Sequence, residues 1–287
     1  MKLSSSRRLK NRIATTLFSA CALSGVVLFA VLFFAVVGKG IGALSFDFLS
    51  KGMEQAGASG GILMNLLGTA ILLVTAAIVA VPISTALAFL VRYFRKRDKL
   101  SGALEMLLYI LNGVPSILLG IMGFILFVRD LEMGKSWLTG GVLLGMMIVP
   151  TITVVLIERI SAIPSAYIES ARGLGMNKAQ VAWTVVLPRC WSSILTGLLL
   201  GLARAAGETA PILFTATVFS GAGLPEGIKN SPVLTLPYHI FVLAQDSLES
   251  ASGNLWGAAL VLLLLVFAMS MLVLPIRLKT HDESRHA

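Results

Sequence analysis

A polar stretch at residues 165–188 reads SAYIESARGLGMNKAQVAWTVVLP and lies between two long apolar segments. Ser165 can cap a first short helix, and Asn177 can cap a second one. Gly173 and Gly175 can adopt the positive φ that ends the first helix. We therefore predict two short helices joined by a glycine turn and exposed to water, and we call residues 165–188 the hairpin.

The composition is that of a polytopic membrane protein. Of the 287 residues, 56% are hydrophobic and 13% are charged, which is too apolar for a soluble domain. The net charge is +9, but the basic residues cluster beside apolar segments, where they set orientation rather than bind nucleic acid. Cys21 and Cys190 offer neither a disulfide framework nor a metal-ligand spacing. We expect no nucleic-acid partner, no metal and no cofactor in this chain.

Six apolar segments are long enough to cross a bilayer, which predicts an all-α fold with six transmembrane helices. The first segment exceeds the usual apolar core of a cleaved signal, so we expect it to be retained. Pro115 predicts a kink in the third helix, Pro188 a break before the fifth, and Gly207 or Pro211 a bend within the fifth. The predicted helices cover residues 13–37, 62–91, 103–128, 138–157, 191–219 and 255–276.

The basic residues predict how the chain is oriented. Seventeen Lys and Arg residues fall on the side that holds both termini, and five fall in the loops of the other side. By the positive-inside rule the first side is cytoplasmic. The predicted plan is a cytoplasmic tail at 1–12, a first helix at 13–37, a periplasmic loop at 38–61, a five-helix core at 62–276 with a cytoplasmic loop at 159–189 and a periplasmic loop at 220–254, and a cytoplasmic tail at 277–287.

Two charged residues, Arg204 and Glu208, lie inside the fifth apolar segment. An arginine near the bilayer centre costs about 2.5 to 3.5 kcal/mol, so such residues usually face the bundle interior, a partner or a water path. Residues four apart lie about 40° from each other around a helix, so the two side chains can pair. Gly197 and Gly201 continue the same stripe and leave room for another helix or a solute.

The chemistry of this pair suggests an anion path. A guanidinium matches the bidentate geometry of an oxyanion such as phosphate. Our hypothesis is that Arg204 contacts the anion in transit and that Glu208 is its resting partner. The alternative is an internal ion pair that only fixes helix packing. We expect His239, in the exterior loop, to be an ordinary surface residue.

The hairpin also resembles a known motif. Residues 169–171 read ESA, Gly175 follows three residues later, and residues 185–188 read VVLP. This spacing resembles the EAA loop (E-A-A-x3-G-x9-I-x-L-P) of ABC-importer permeases of type I, with Ser170 in place of alanine and Val185 in place of isoleucine. The resemblance implies that the hairpin docks on an ATPase subunit through Glu169, Ala171, Gly175, Leu187 and Pro188.

A second resemblance concerns the substrate. Residues 204–211 read RAAGETAP and resemble the R-A-x-G-E-T-x-A signature of phosphate importer permeases. Residues 234–240 read LTLPYHI and resemble a stretch that distinguishes PstA subunits from PstC subunits in those importers. The resemblance implies a permease subunit in the bacterial cytoplasmic membrane, with a PstC-like second permease, a PstB-like ATPase dimer that uses Mg-ATP, and a PstS-like periplasmic phosphate-binding protein.

Other functions remain as alternatives. The hairpin does not distinguish phosphate from another oxyanion, such as sulfate or molybdate, or from a different small solute. A membrane-embedded enzyme is disfavoured because Glu208 is the only acid clearly inside a predicted span and none of the three histidines lies in one. A self-sufficient secondary transporter is disfavoured because six spans are few and no inverted halves are visible.

Overall fold

The fold is built of helices. The computed structural model describes residues 5–95, 98–219, 221–245 and 252–285. The helices in these ranges are α1 Ser5–Gly40, α2 Phe46–Ser50, α3 Leu63–Ala88, α4 Lys99–Asn112, α5 Ser116–Gly123, α6 Trp137–Ala162, α7 Ser165–Gly173, α8 Lys178–Val181, α9 Leu187–Ala206, α10 Ala210–Thr215, α11 Leu236–Gln245 and α12 Ser252–Arg285. Three π-helical segments, Phe89–Phe94, Phe124–Asp130 and Ala182–Val186, extend α3, extend α5 and join α8 to α9. Two short antiparallel strands, β1 Met53–Glu54 and β2 Ser59–Gly60, lie before α3.

Five helical segments are long and apolar enough to cross a membrane by themselves, within the part of the chain that the structure describes. They lie at Lys10–Ala43, Leu63–Phe94, Trp137–Ala162, Lys178–Ala206 and Gly253–Ile276. A sixth span consists of a helix pair, Lys99–Asn112 and Ser116–Asp130, which is bent by 98° at a short break. The prediction of six apolar spans is therefore confirmed, with one of them broken in the middle.

The break in the third span is sharper than the predicted kink. Helix α4 ends at Asn112, Gly113 caps it, and α5 begins at Ser116 immediately after Pro115. Pro115 adopts an extended conformation with ψ 130°, and a proline cannot donate the amide hydrogen that would continue α4. The chain therefore turns by nearly a right angle and restarts as a new helix. The polar residue at the end of α4, Asn112, is left at this corner.

Helix α6 forms the centre of the bundle and packs against α3 and α9. A Cβ at Gly197 of α9 would lie 3.2 Å from the Cα of Ile152, and one at Gly201 would lie 3.2 Å from the Cβ of Ile148. These glycines let the two helices approach closely, as small residues do in membrane bundles. Of the two uses expected for the Gly197–Gly201 stripe, the structure supports packing against another helix.

Helix α9 does not begin where the sequence predicts it. Helix α8, the segment Ala182–Val186 and α9 form one continuous helical unit, Lys178–Ala206, and Pro188 lies in the first turn of α9. The predicted break at Pro188 is therefore wrong. A proline ring crowds the carbonyl four residues earlier, and the wider π-helical turn immediately before it makes room. The second arm of the hairpin is thus an extension of a membrane-spanning helix.

The segment between α10 and α11 folds back onto the bundle. The backbone amide of Val233 donates to the carbonyl of Ala216 at 3.0 Å, and the amide of Leu236 donates to the Thr69 hydroxyl at 3.0 Å. A Cβ on Gly68 would lie 1.9 Å from the carbonyl oxygen of Leu234, so only glycine allows this contact. Residues 233–239 of the predicted loop therefore form a packed cap over the end of α3, whereas residues 220 and 246–251 of that loop lie outside the described residues.

His239 belongs to this cap and is buried, so the expectation of a surface histidine is wrong. Its side chain is 4% exposed, and a Cβ on Gly57 would lie 2.5 Å from the imidazole Cε1. The Nε2 atom has no hydrogen-bond partner among the described residues. Burial disfavours the charged imidazolium and lowers the pKa of His239 from its ordinary 6.5 to about 4.

Candidate functional site

Arg204 and Glu208 lie on either side of a helix end inside the membrane domain. Arg204 is in the last turn of α9, which ends at Ala206 with Gly207 as its cap. Glu208 falls in the short break before α10, whose first turn contains Pro211. The predicted bend at Gly207 or Pro211 is therefore a break between two helices.

The two side chains form an ion pair, as their spacing predicts. The Arg204 Nε lies 3.7 Å from a carboxylate oxygen of Glu208, and the side chains are 37% and 18% exposed respectively. A separation of 3.7 Å is longer than a hydrogen bond. The contact is therefore electrostatic and loose, and more than a third of the arginine side chain remains accessible.

Asn112 and Thr151 complete this polar cluster, and neither was identified from the sequence. The Arg204 Nη1 donates to Asn112 Oδ1 at 3.3 Å, and the Thr151 hydroxyl donates to the same oxygen at 3.1 Å. Asn112 lies at the bend after α4 and Thr151 lies in α6, so three spans contribute to one site. The sequence signal was an asparagine immediately before a Gly-Val-Pro break in an apolar segment.

The cluster can bind an anion. A guanidinium carries five N–H donors in a planar fork, and the Arg204 side chain makes one hydrogen bond and one looser ion contact to described residues. Its other donors are free to meet a tetrahedral oxyanion in a bidentate manner. No cluster of three or more His, Cys, Asp or Glu residues that could hold a metal ion occurs in the described residues.

The hairpin has the two helical arms that the sequence predicts, with differences at its caps. Gly175 has φ +82° and ends the first arm as predicted, whereas Gly173 lies inside α7 and has no positive φ. Ser165 is the first residue of α7 and does not cap it, because the cap position is Pro164. Asn177 caps α8 through a complete capping box with Gln180, as predicted.

The predicted docking residues of the hairpin divide into exposed and packed ones. Glu169 and Gly175 are exposed, and Pro188 is exposed on α9. Ala171 is buried in the core, and Leu187 packs against that core. The structure adds a further exposed residue at the tip, Leu174, whose side chain is 80% exposed. Leu174 is beside Gly175, so both residues at the turn are accessible to a partner.

Contacts with neighbouring helical segments hold the hairpin in place. The Tyr93 hydroxyl donates to the carbonyl of Lys178 at 3.1 Å, and Arg159 Nε donates to the carbonyl of Arg189 at 3.0 Å. The Arg189 guanidinium lies 4.0 Å from the centre of the Tyr167 ring, a cation–π contact. The hairpin is therefore fixed to the π-helical extension of α3 through Lys178 and to α9 through Tyr167, and α9 is itself bonded to α6.

Comparison with known proteins agrees with this architecture. Residues 80–276 match the family described as binding-protein-dependent transport system inner membrane component. The probable phosphate transport system permease protein PstA of Methanocaldococcus jannaschii is 30% identical over 284 residues, which cover 96% of each chain. The phosphate transport system permease protein PstA of Pasteurella multocida is 26% identical over 269 residues, which cover 92% of this chain and 93% of that one.

A solved structure shares the fold. The crystal structure of a bacterial ABC transporter involved in the import of the acidic polysaccharide alginate aligns with a TM-score of 0.56 at 14% identity, over 98% of this chain and 99% of that chain. The predicted ABC-importer permease fold is therefore confirmed. With its six apolar spans, its cap and its family match over residues 80–276, the chain belongs to the binding-protein-dependent transport system inner membrane components.

Proposed function

We propose that the chain is one permease subunit of an ATP-driven importer and forms half of the path that inorganic phosphate takes across the membrane. Relatives along nearly the whole chain carry the name phosphate transport system permease protein PstA. The observation that carries the proposal is the position of Arg204, a partly exposed guanidinium at a helix break within the spans. A cation at that depth is costly unless it has a functional partner.

Arg204 contacts the phosphate ion as it passes, and Glu208 holds the guanidinium between transport events. The separation of 3.7 Å suits this exchange, because no hydrogen bond has to break before the anion takes the carboxylate's place. Arg204→Gln removes the charge and keeps much of the volume. We expect it to abolish phosphate uptake in cells while the protein remains in the assembled complex.

A matched control separates this effect from a general loss of positive charge. Arg129 is also an exposed arginine beside a carboxylate, with its Nε 2.8 Å from Asp130, but it lies at the end of the π-helical segment Phe124–Asp130, away from the cluster. Arg129→Gln should transport normally. Normal uptake by Arg204→Gln would refute the proposed anion path and leave the ion pair as a packing element.

The hairpin is the surface on which an ATPase subunit docks. Glu169, Leu174 and Gly175 are exposed at or near its tip, whereas Ala171 and Leu187 hold its two arms against the core. Closure of the ATPase dimer around ATP moves the tip, and the anchored arms pass that movement to the spans. Co-purification with the ATPase should be lost in Gly175→Asp, and a retained ATPase would refute the docking role.

The partners and location follow from this assignment. The complex contains a PstC-like second permease, a dimer of PstB-like ATPases that binds Mg-ATP, and a PstS-like periplasmic phosphate-binding protein. It lies in the bacterial cytoplasmic membrane with the hairpin and both termini on the cytoplasmic side. This chain performs no chemistry of its own, and the affinity for phosphate resides mainly in the external binding protein.

A competition experiment tests the identity of the substrate. Uptake of radiolabelled phosphate by cells that depend on this chain should persist in excess sulfate or molybdate and should fall in excess unlabelled phosphate. Labelled sulfate or molybdate taken up in place of phosphate would assign the chain to the other oxyanions. Loss of uptake when the ATP-binding site of the partner ATPase is inactivated by mutation should separate the ATP-driven mechanism from an ion-coupled one.

A further inference from the structure

We propose that Asn112 is a second ligand of the transported anion and donates a hydrogen bond to it from its side-chain amide, beside Arg204. The inference rests on the proposed function, because it assigns a further residue to the same site. It places the anion between two spans, the end of α4 at the bend and the end of α9. The proposed docking of the hairpin and the proposed role of the Arg204–Glu208 pair would both stand without a role for Asn112 in binding the anion.

The orientation of the Asn112 amide follows from the chemistry of its neighbours. A guanidinium donates hydrogen bonds and accepts none, so the atom that faces Arg204 Nη1 at 3.3 Å must be the carbonyl oxygen. The Thr151 hydroxyl also lies 3.1 Å from that oxygen and donates to it. With the oxygen held by two donors from two helices, the NH₂ group of Asn112 is directed away from both.

The NH₂ group is available to a ligand. It donates to none of the residues that the structure describes, and it is not among the buried polar atoms that lack a partner. The amide is therefore open to the space at the bend, where a donor can meet an incoming oxygen. Arg204 Nη1 lies 3.3 Å from the oxygen of the same amide group, so an oxyanion held by the other donors of the guanidinium lies within reach of a second, neutral donor.

The two donors have different roles. Arg204 supplies the charge, and Glu208 competes with the anion for it. Asn112 has no charge, so it adds a directed hydrogen bond without strengthening the resting ion pair. Asn112 is the last residue of α4 and Arg204 lies in the last turn of α9, so a movement of these two helices relative to each other changes the distance between the two donors. The anion is then bound when they converge and released when they separate.

The experiment compares two substitutions at Asn112. Asn112→Asp keeps an oxygen that accepts from Arg204 but replaces the amide donor with a carboxylate oxygen, which repels an anion. Asn112→Ala removes both functions without adding charge. If the amide binds the anion, the maximal rate of phosphate uptake, normalised to the amount of assembled complex, should fall about tenfold or more in Asn112→Asp and less in Asn112→Ala. If Asn112 instead only ties α4 to α9 through its bond to Arg204, the order should be reversed, since the aspartate would hold Arg204 more tightly.

Thr151→Val is the matched control, because it removes one donor to the Asn112 oxygen and leaves the amide and Arg204 in place. We expect a loss of about threefold or less. Uptake by Asn112→Asp that equals or exceeds uptake by Asn112→Ala would overturn the proposal for Asn112. The proposed function fails separately, if Arg204→Gln transports phosphate normally. If Arg204→Gln loses phosphate uptake while Asn112→Asp keeps full uptake, the anion path stands and only Asn112 is removed from it.

Discussion

Leu174 offers the sharpest test of the docking surface. It lies at the tip of the hairpin, where 80% of its surface is exposed, so nearly the whole side chain is available to be buried by a partner. Leu174→Ala removes three carbon atoms. At about 0.8 kcal/mol for each buried methylene, the loss of binding free energy is about 2 kcal/mol if the partner covers the residue. That corresponds to roughly a thirtyfold rise in the dissociation constant of the ATPase.

The assay is a titration of the ATPase onto the permease complex in nanodiscs. Gly175, beside Leu174, sets the turn by itself through its φ of +82°, so we expect the hairpin to fold normally without the leucine side chain. Leu224→Ala is the control, because Leu224 is also an exposed leucine, at 57%, but lies in the segment before α11. An unchanged dissociation constant for Leu174→Ala would show that the hairpin tip is not covered by the ATPase.

Three further predictions concern stability. Gly175→Ala should destabilise the hairpin by about 1–2 kcal/mol, because an L-residue disfavours φ +82° even though no atom lies within 4 Å of the added Cβ. Gly175→Asn should destabilise it less. Amide hydrogen exchange of residues 165–181 measures both effects. Gly201→Leu should lower the thermal unfolding temperature in detergent, since a Cβ at this position would lie 3.2 Å from Ile148 and overpacking costs about 1–3 kcal/mol. Gly173 has open space around it, so Gly173→Leu should unfold near the wild-type temperature. The free energy of unfolding should fall as the pH is lowered from 6.5 towards 4, because burial holds the pKa of His239 at about 4 while the unfolded chain binds the proton at its ordinary pKa. The loss reaches about 3 kcal/mol. A thermal unfolding series in which His239→Gln shows the same dependence on pH as the wild type would contradict this prediction.

The sequence predicts the parts of the fold that depend on local patterns. The apolar spans follow from their length and hydropathy, the cap of α8 follows from the type of residue at Asn177, and the turn at Gly175 follows from the conformational freedom of glycine. The predicted break at Pro188 is wrong because the π-helical turn before it accommodates the proline ring, and no local sequence rule indicates that turn. The predicted cap at Ser165 is also wrong, since the preceding Pro164 takes the cap position.

The candidate site was only half visible in the sequence. Arg204 and Glu208 stand out because charges are rare in apolar spans, and their pairing is predicted from helical spacing although Glu208 lies in the break after α9. Asn112 and Thr151 lie 92 and 53 residues before Arg204 in the chain, so their convergence depends on how α4, α6 and α9 pack. The burial of His239 likewise depends on contact with Gly57, which no local pattern indicates.

The central claim is that phosphate crosses the membrane past Arg204, driven by an ATPase seated on the hairpin. Proteoliposomes that contain the complete transporter, with ATP on the hairpin side and phosphate plus the binding protein on the other, measure this directly. We predict ATP-dependent phosphate accumulation for the wild-type chain, and none for Arg204→Gln even though the ATPase remains bound. Accumulation by Arg204→Gln at the wild-type rate would contradict the claim.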